Sequence, residues 1–191
     1  SNRIKLNMKN KIVRVGSIAI DELHTSKGSR PNIIGGSATF FSVAASRYNP
    51  VKLIGIVGDD FPKEGWDLFS KYNVNTDMVT IEKGKTFSWG GKYSDDYSTR
   101  DTLYTDLGVF ENYTPNIPES VETEYLYLGN IQPSLQLDVI NKIKSKQRIV
   151  SDTMNLWIDL DLNGLWEVIK LTNIFLLNDE EAMQLTGKKD L

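Results

Sequence analysis

Apolar positions along the chain come in short runs, separated by stretches with helical spacing. "KIVRVGSIAI" (11–20) is a dense, β-branched run closed by Asp21, the pattern of a buried strand. "SATFFSVAASRY" (37–48) follows a glycine pair with helical spacing, and "VKLIGIVGDD" (51–60) repeats the strand pattern. "PKEGWDLFSKY" (62–72) reads as a helix with proline at its start, where the missing N–H costs nothing. The runs resume with "EYLYLGN" (124–130), "SLQLDVINKIK" (134–144), "RIVSDTM" (148–154), "LWEVIKL" (165–171), "IFLLN" (174–178) and "DEEAMQLTG" (179–187). Strand alternating with helix implies βαβ crossovers and an α/β fold with a mostly parallel, doubly wound sheet.

The middle of the chain breaks this rhythm. In "TFSWGGKY" (86–93), Phe87, Trp89, Gly91 and Tyr93 fall on one face, and Thr86, Ser88, Gly90 and Lys92 on the other. "RDTLYTDLGVF" (100–110) is again rich in β-branched and aromatic residues. Both read as half-exposed antiparallel strands, and together they predict a small β flap projecting from the α/β core.

Composition narrows the classes of function. The 191 residues are 40% hydrophobic, enough for one domain with a core, and the net charge is −3 without any block of like charge. Nucleic acid and anionic membrane are therefore not expected as partners. With no cysteine and a single histidine, His24, neither a disulfide framework nor a Cys- or His-rich metal site is available. No apolar run approaches the ~20 residues that cross a bilayer, so a soluble, cytoplasmic protein is expected.

In open α/β sheets ligands bind beyond the carboxyl ends of the strands. The residues just after the apolar runs are Asp21, Gly35-Gly36, Gly58-Asp59-Asp60, Asn130, Asp152 with Asn155, and Asn178 with Glu181. Carboxylates, amides and glycines without a basic residue suit a hydroxyl-rich ligand, because the oxygens accept from OH groups and the amides both donate and accept. They suit phosphate poorly. The glycine pair is not a Walker loop, since no lysine follows it. "GSIAID" after the first strand also lacks the dinucleotide pattern G-x-G-x-x-G.

"GSIAID", "GGSATFFSVAA", "LIGIVGDDFPKEG" and "NDEEA", in this order and with this spacing, resemble the amino-terminal two thirds of ribokinase-like (PfkB) carbohydrate kinases. The resemblance implies a three-layer α/β/α sandwich with a β lid inserted at about 22–34 and 80–110, in a single domain spanning 8–191. It implies transfer of the ATP γ-phosphoryl group to a hydroxyl of a sugar or sugar-like acceptor, with Mg²⁺. A nucleoside kinase and a non-catalytic carbohydrate-binding module are the alternatives. On the resemblance, Asp21 holds acceptor hydroxyls, Gly35 and Gly36 lie against the acceptor, and Ser37 stands beside them. Asn130, Asp152 and Asn155 line the same pocket, and the lid residues Trp89, Tyr93 and Arg100 close over it. Asn178 and Glu181 match the N-x-x-E pair that organises Mg²⁺, usually through water; alone, the same residues would make a helix N-cap. Phe40 stands where the family often has an asparagine, so either the acceptor is less polar there or Phe40 packs into the core. The family's lids often join in dimers, which makes a homodimer through the lid an expected partner state.

The sequence departs from the family at its end. The family's D-T-x-G-A-G-D run supplies an anion hole and the general base, and the 191 residues contain no such run. The base and most of the ATP-binding third are therefore expected beyond Leu191, and the 191 residues alone are expected to be inactive.

Overall fold

The computed structural model of the chain describes residues 10–189, so the domain limits expected at Met8 and Leu191 lie outside the described residues. In chain order, β1 (Asn10–Val15) is followed by the hairpin β2 (Ala19–Thr25) and β3 (Gly28–Gly35), then α1 (Ser37–Ala45), β4 (Val51–Gly58), α2 (Lys63–Lys71) and β5 (Asn75–Glu82). A second hairpin, β6 (Ser88–Tyr93) and β7 (Arg100–Asp106), precedes β8 (Glu122–Leu128), α3 (Pro133–Lys142) and β9 (Ser145–Asp152). α4 (Asn155–Leu160), α5 (Leu162–Leu171), β10 (Ile174–Leu176) and α6 (Asp179–Thr186) complete the described chain.

Six strands form a sheet in the order β10-β9-β8-β1-β4-β5, and every pairing in it is parallel. The chain winds outward from β1 to β5, returns to β8 on the other side of β1, and winds outward again to β10. The order therefore reverses between β1 and β8, where the loops after these strands part and leave a crevice.

Strand alternation divides the core in two. Val13, Val15, Ile54, Ile56, Leu126 and Leu128 meet Leu135, Val139 and Ile140 of α3 on one face. On the other, Leu53 and Val57 meet Ala38 of α1 and Phe69 of α2. α1 and α2 cover only the β1-β4-β5 half of that second face. Register carries its rows onward through Tyr127 and Val150 to Ile174, where Tyr125, Ile174 and Leu176 remain 41%, 48% and 46% exposed.

The apolar run 11–20 is two strands rather than one. It breaks at Gly16–Ile18, where the chain leaves the main sheet, but Ile18 and Ala19 stay fully buried and keep the hydrophobic pattern continuous across the turn. The second sheet, ordered β3-β2-β6-β7, is the flap: two antiparallel hairpins joined by parallel pairing of β2 with β6. It occupies 19–35 and 88–106, while residues 80–82, expected in the lid, finish β5.

Candidate functional site

The crevice at the strand reversal is roofed by the flap and floored by the start of α1. Gly36 has φ of 90°, and a Cβ there would stand 2.4 Å from the Ser17 carbonyl oxygen. A Cβ on Gly35 would stand 2.0 Å from Oδ2 of Asp21. The glycine pair thus lets β3 turn into α1 while pressed against both Ser17 and the Asp21 carboxylate. The first N–H groups of α1 are already taken: Ser37 donates to Ser17 Oγ at 3.2 Å and Ala38 to Ser17 O at 2.9 Å. That helix start is closed by protein, in keeping with its lack of a phosphate-loop motif.

Asp21 lies on β2 and borders the crevice. Burial pushes its carboxyl up to about 6, and the backbone N–H groups of Trp89 and Gly36 oppose that rise only in part. Its Oδ1 is buried and has no hydrogen-bond partner. A desolvated carboxylate oxygen without a donor is costly unless a ligand supplies the donor.

The cleft has two lobes. An inner one of about 260 Å³ is bounded by Asp21, Gly36, Ser37, Phe40, Trp89, Tyr93, Arg100 and Asn130. An outer one of about 720 Å³ shares Trp89, Tyr93, Arg100 and Asn130 with it and adds Asn155, Asn178 and Glu181. Phe40 is 64% exposed and borders the inner lobe, so it does not pack into the core. With Leu23, Ile33, Phe87 and Met154, which the sequence reading did not single out, it makes that lobe largely apolar.

Each polar side chain is anchored. Asn130 Oδ1 accepts from Trp157 Nε1 at 2.9 Å, which leaves its NH₂ as the end free to donate. Asn155 Nδ2 donates to Gln184 Oε1 of α6 at 2.6 Å. Trp89 Nε1 donates to Thr102 Oγ1 at 3.2 Å, and the Arg100 guanidinium lies 5.6 Å from the Trp89 ring centroid.

Asp152, like Gly35, is placed differently from the other expected pocket residues. It does not border either lobe; its Oδ2 accepts from the Tyr127 hydroxyl at 3.1 Å. Burial raises its carboxyl to about 6 although Arg14 and Tyr127 pull it down. Arg14 is buried between Phe41 and Tyr127, its guanidinium 5.0 and 4.1 Å from their ring centroids. The sequence reading passed over Arg14; a lone arginine inside "KIVRV" was the available signal.

Asn178 and Glu181 form a reciprocal capping box at the start of α6. Asn178 Oδ1 accepts the Glu181 N–H at 2.7 Å, and Glu181 Oε2 accepts the Asn178 N–H at 3.0 Å. Among the described residues no group of three or more His, Cys, Asp or Glu side chains is placed to hold a metal ion. The cap takes Asn178's only side-chain oxygen and one of the two on Glu181, which leaves the second Glu181 oxygen as the acceptor this pair can offer to a hydrated cation.

No family model matches the sequence. The chain is 26% identical to the cytidine kinase of Thermococcus kodakarensis over 184 residues, covering 94% of the chain and 66% of that protein. It therefore spans about two thirds of the length of this curated relative. Among solved structures, the nucleoside kinase of Methanocaldococcus jannaschii, an archaeal member of the ribokinase family, superposes with a TM-score of 0.76 at 18% identity, over 94% of this chain and 64% of that one. The ribokinase of Cryptococcus neoformans in complex with ADP gives 0.78 at 20% identity, over 94% and 63%. The chain has the fold of the ribokinase-like (PfkB) kinases and is similar to them along nearly its whole length. Three of the four ordered motifs that carry the family resemblance fall around one cleft, "GSIAID" and "GGSATFFSVAA" at its inner lobe and "NDEEA" at its outer lobe, whereas "VGDD" lies behind the lid root beside a separate cavity.

Proposed function

We propose that this chain is the acceptor-binding part of an ATP-dependent kinase that phosphorylates a hydroxyl of a sugar or sugar-like substrate. The observation that carries the reading is Asp21: a buried carboxylate oxygen without a partner, at the wall of a cleft. An acceptor hydroxyl donates to it, with the Gly36 backbone alongside and the Asn130 amide donating from the facing loop. Trp89, Tyr93 and Arg100 roof the acceptor and exclude water, which keeps ATP from being hydrolysed in its place. Asn178 and Glu181 would hold Mg²⁺ through water, and the ion would supply positive charge to stabilise the transferring phosphoryl group. The base that takes the acceptor's proton belongs to the family's D-T-x-G-A-G-D run, which these 191 residues do not contain.

A nucleoside acceptor is the second reading. The aromatic and apolar wall of the inner lobe, with Phe40 in it, favours a flat ring beside the hydroxyls. The relatives named cytidine kinase and nucleoside kinase point the same way. A homodimer is proposed to form through the lid, whose outer strand β7 is exposed at all seven residues.

The test is ADP release from Mg²⁺-ATP with sugars and nucleosides, run with the 191-residue chain and with the full product of its gene. Turnover by the full product names the acceptor. If neither form turns over yet calorimetry shows sugar binding, the non-catalytic module replaces the kinase reading.

A further inference from the structure

The Gly58–Asp60 turn at the end of β4 borders neither lobe of the cleft. It lies behind the lid root, beside a separate cavity of about 430 Å³ that Asp60, Thr86 and Ser88 share with Asp21. The Thr86 hydroxyl accepts from the Gly58 N–H at 3.0 Å and donates to Asp60 Oδ1 at 2.7 Å. The same Oδ1 accepts the Thr86 N–H at 2.8 Å, and Asp59 Oδ1 accepts the Gly84 N–H at 3.0 Å. Thr86 is only 2% exposed. Burial alone would raise the Asp60 carboxyl, but the two Thr86 hydrogen bonds and Lys85 outweigh it and hold the group below its ordinary range.

The chain returning from the lid crosses at this same place. Val109 N–H donates to Lys85 O at 2.9 Å. Gly108, at φ of 51°, leaves no room for a Cβ, which would stand 2.1 Å from Lys85 O. Just beyond the crossing, Phe87 O accepts the Ile20 N–H at 2.9 Å, and the Trp89 N–H approaches the Asp21 carboxylate. The path from Asp60 to Asp21 is thus a few residues of hydrogen-bonded backbone.

We propose that Asp60 and Thr86 are positioning residues, a latch that holds the β6–β7 hairpin against the core and so keeps the Trp89 N–H on the Asp21 carboxylate. The consequence for ligand binding rests on the reading of the cleft as an acceptor site; the latch itself does not. Its test is amide hydrogen exchange, read by mass spectrometry on the 191-residue chain without ligand. Thr86→Val should speed exchange across 88–93 and 100–106 by about tenfold or more, since charge-assisted hydrogen bonds are lost at the root of one opening unit. Exchange in β1, in β8 and in β4 up to Val57 should stay as it was, and Thr86→Ser, which keeps the hydroxyl, should restore slow exchange in the lid. Asp60→Ala, which removes the oxygen that accepts both Thr86 bonds, provides the same reading if Thr86→Val does not fold. Unchanged lid exchange, an equal rise throughout the sheet, or failure of Thr86→Ser to restore protection would each overturn the latch. A latch that passes, in a chain that binds no sugar or nucleoside, stands while the acceptor reading falls.

Discussion

In the proposed acceptor site, Asp21 ties ligand binding to a cost in stability. Its carboxyl stands at about 6 in the folded chain, against about 3.9 for an unperturbed aspartate. A carboxyl raised on folding favours the folded state while protonated, and that contribution is lost as pH climbs from about 4 to about 6. Asp21→Asn should therefore raise the melting temperature at pH 7.5, by roughly 2–4 °C for each kcal/mol relieved, with the gain vanishing near pH 4. The same variant should weaken acceptor binding by tenfold or more, because a hydrogen bond to a charged group is worth ~1.5–3 kcal/mol. Equal melting curves at both pH values, or undiminished affinity, would remove Asp21 from the proposed role. That Asp21 and the glycine pair stand together at the end of a strand was legible in the sequence, since a carboxylate after an apolar run and two adjacent glycines before a helix each demand a local reason. Asp152 shows the limit of such reasoning. Position after a strand put it beside the cleft, but only the fold reveals that its Oδ2 is engaged by the Tyr127 hydroxyl near buried Arg14. Phe40 could be placed on helix α1 from its spacing, but the side it faces depends on how the lid sits.

Among the elements, those with end signals were the legible ones. α2 carries Pro62 before it, Glu64 in its first turn and Lys71 in its last, and α6 opens on its capping box. β5 and α4 were missed. β5 mixes Asn, Asp, Thr and Glu at the sheet edge, where half-exposure dilutes the apolar pattern, and α4 is only six residues long. The break inside 11–20 was hidden because Ile18, in the turn, and Ala19, which opens β2, are both core residues. The capping box of α6 permits a test that separates its two proposed uses. Glu181→Gln keeps an oxygen to accept the Asn178 N–H, so the melting temperature should shift by less than about 0.5 kcal/mol equivalent. If the negative charge organises Mg²⁺, the same change should lower turnover and raise the Mg²⁺ concentration for half-maximal rate in whichever gene product turns over ATP. An unaltered Mg²⁺ dependence would leave this pair a helix cap alone. At the other end of the cleft, Gly36→Ala should cost ~1–3 kcal/mol from its positive φ alone, and more from the contact with Ser17. Thermal melts that show no loss would mean that the turn into α1 differs from the one described.

At the scale of the whole molecule, the unequal cover of the sheet is the dominant feature. One face is packed from β5 to β9, whereas the other is covered by α1 and α2 only as far as β1. Beyond it, Phe41, Tyr125, Tyr127 and Val150 border an apolar groove of about 280 Å³, and the row ends at exposed Ile174 and Leu176 on the edge strand β10. Contiguous apolar surface beside an open strand edge attracts other apolar surfaces, because covering it releases water and pairs free backbone groups. The 191-residue chain should therefore bind the dye ANS at neutral pH while fully folded, and should sediment faster as its concentration rises. Tyr125→Lys combined with Ile174→Lys should suppress both effects severalfold and leave the melting temperature nearly unchanged, since both side chains are already part-exposed and their loss opens no cavity. If dye binding persists in the double variant, the responsible surface is the inner lobe of the cleft, and Phe40→Ser should abolish it instead. Suppression by the lysines would place the association on the open half of the sheet.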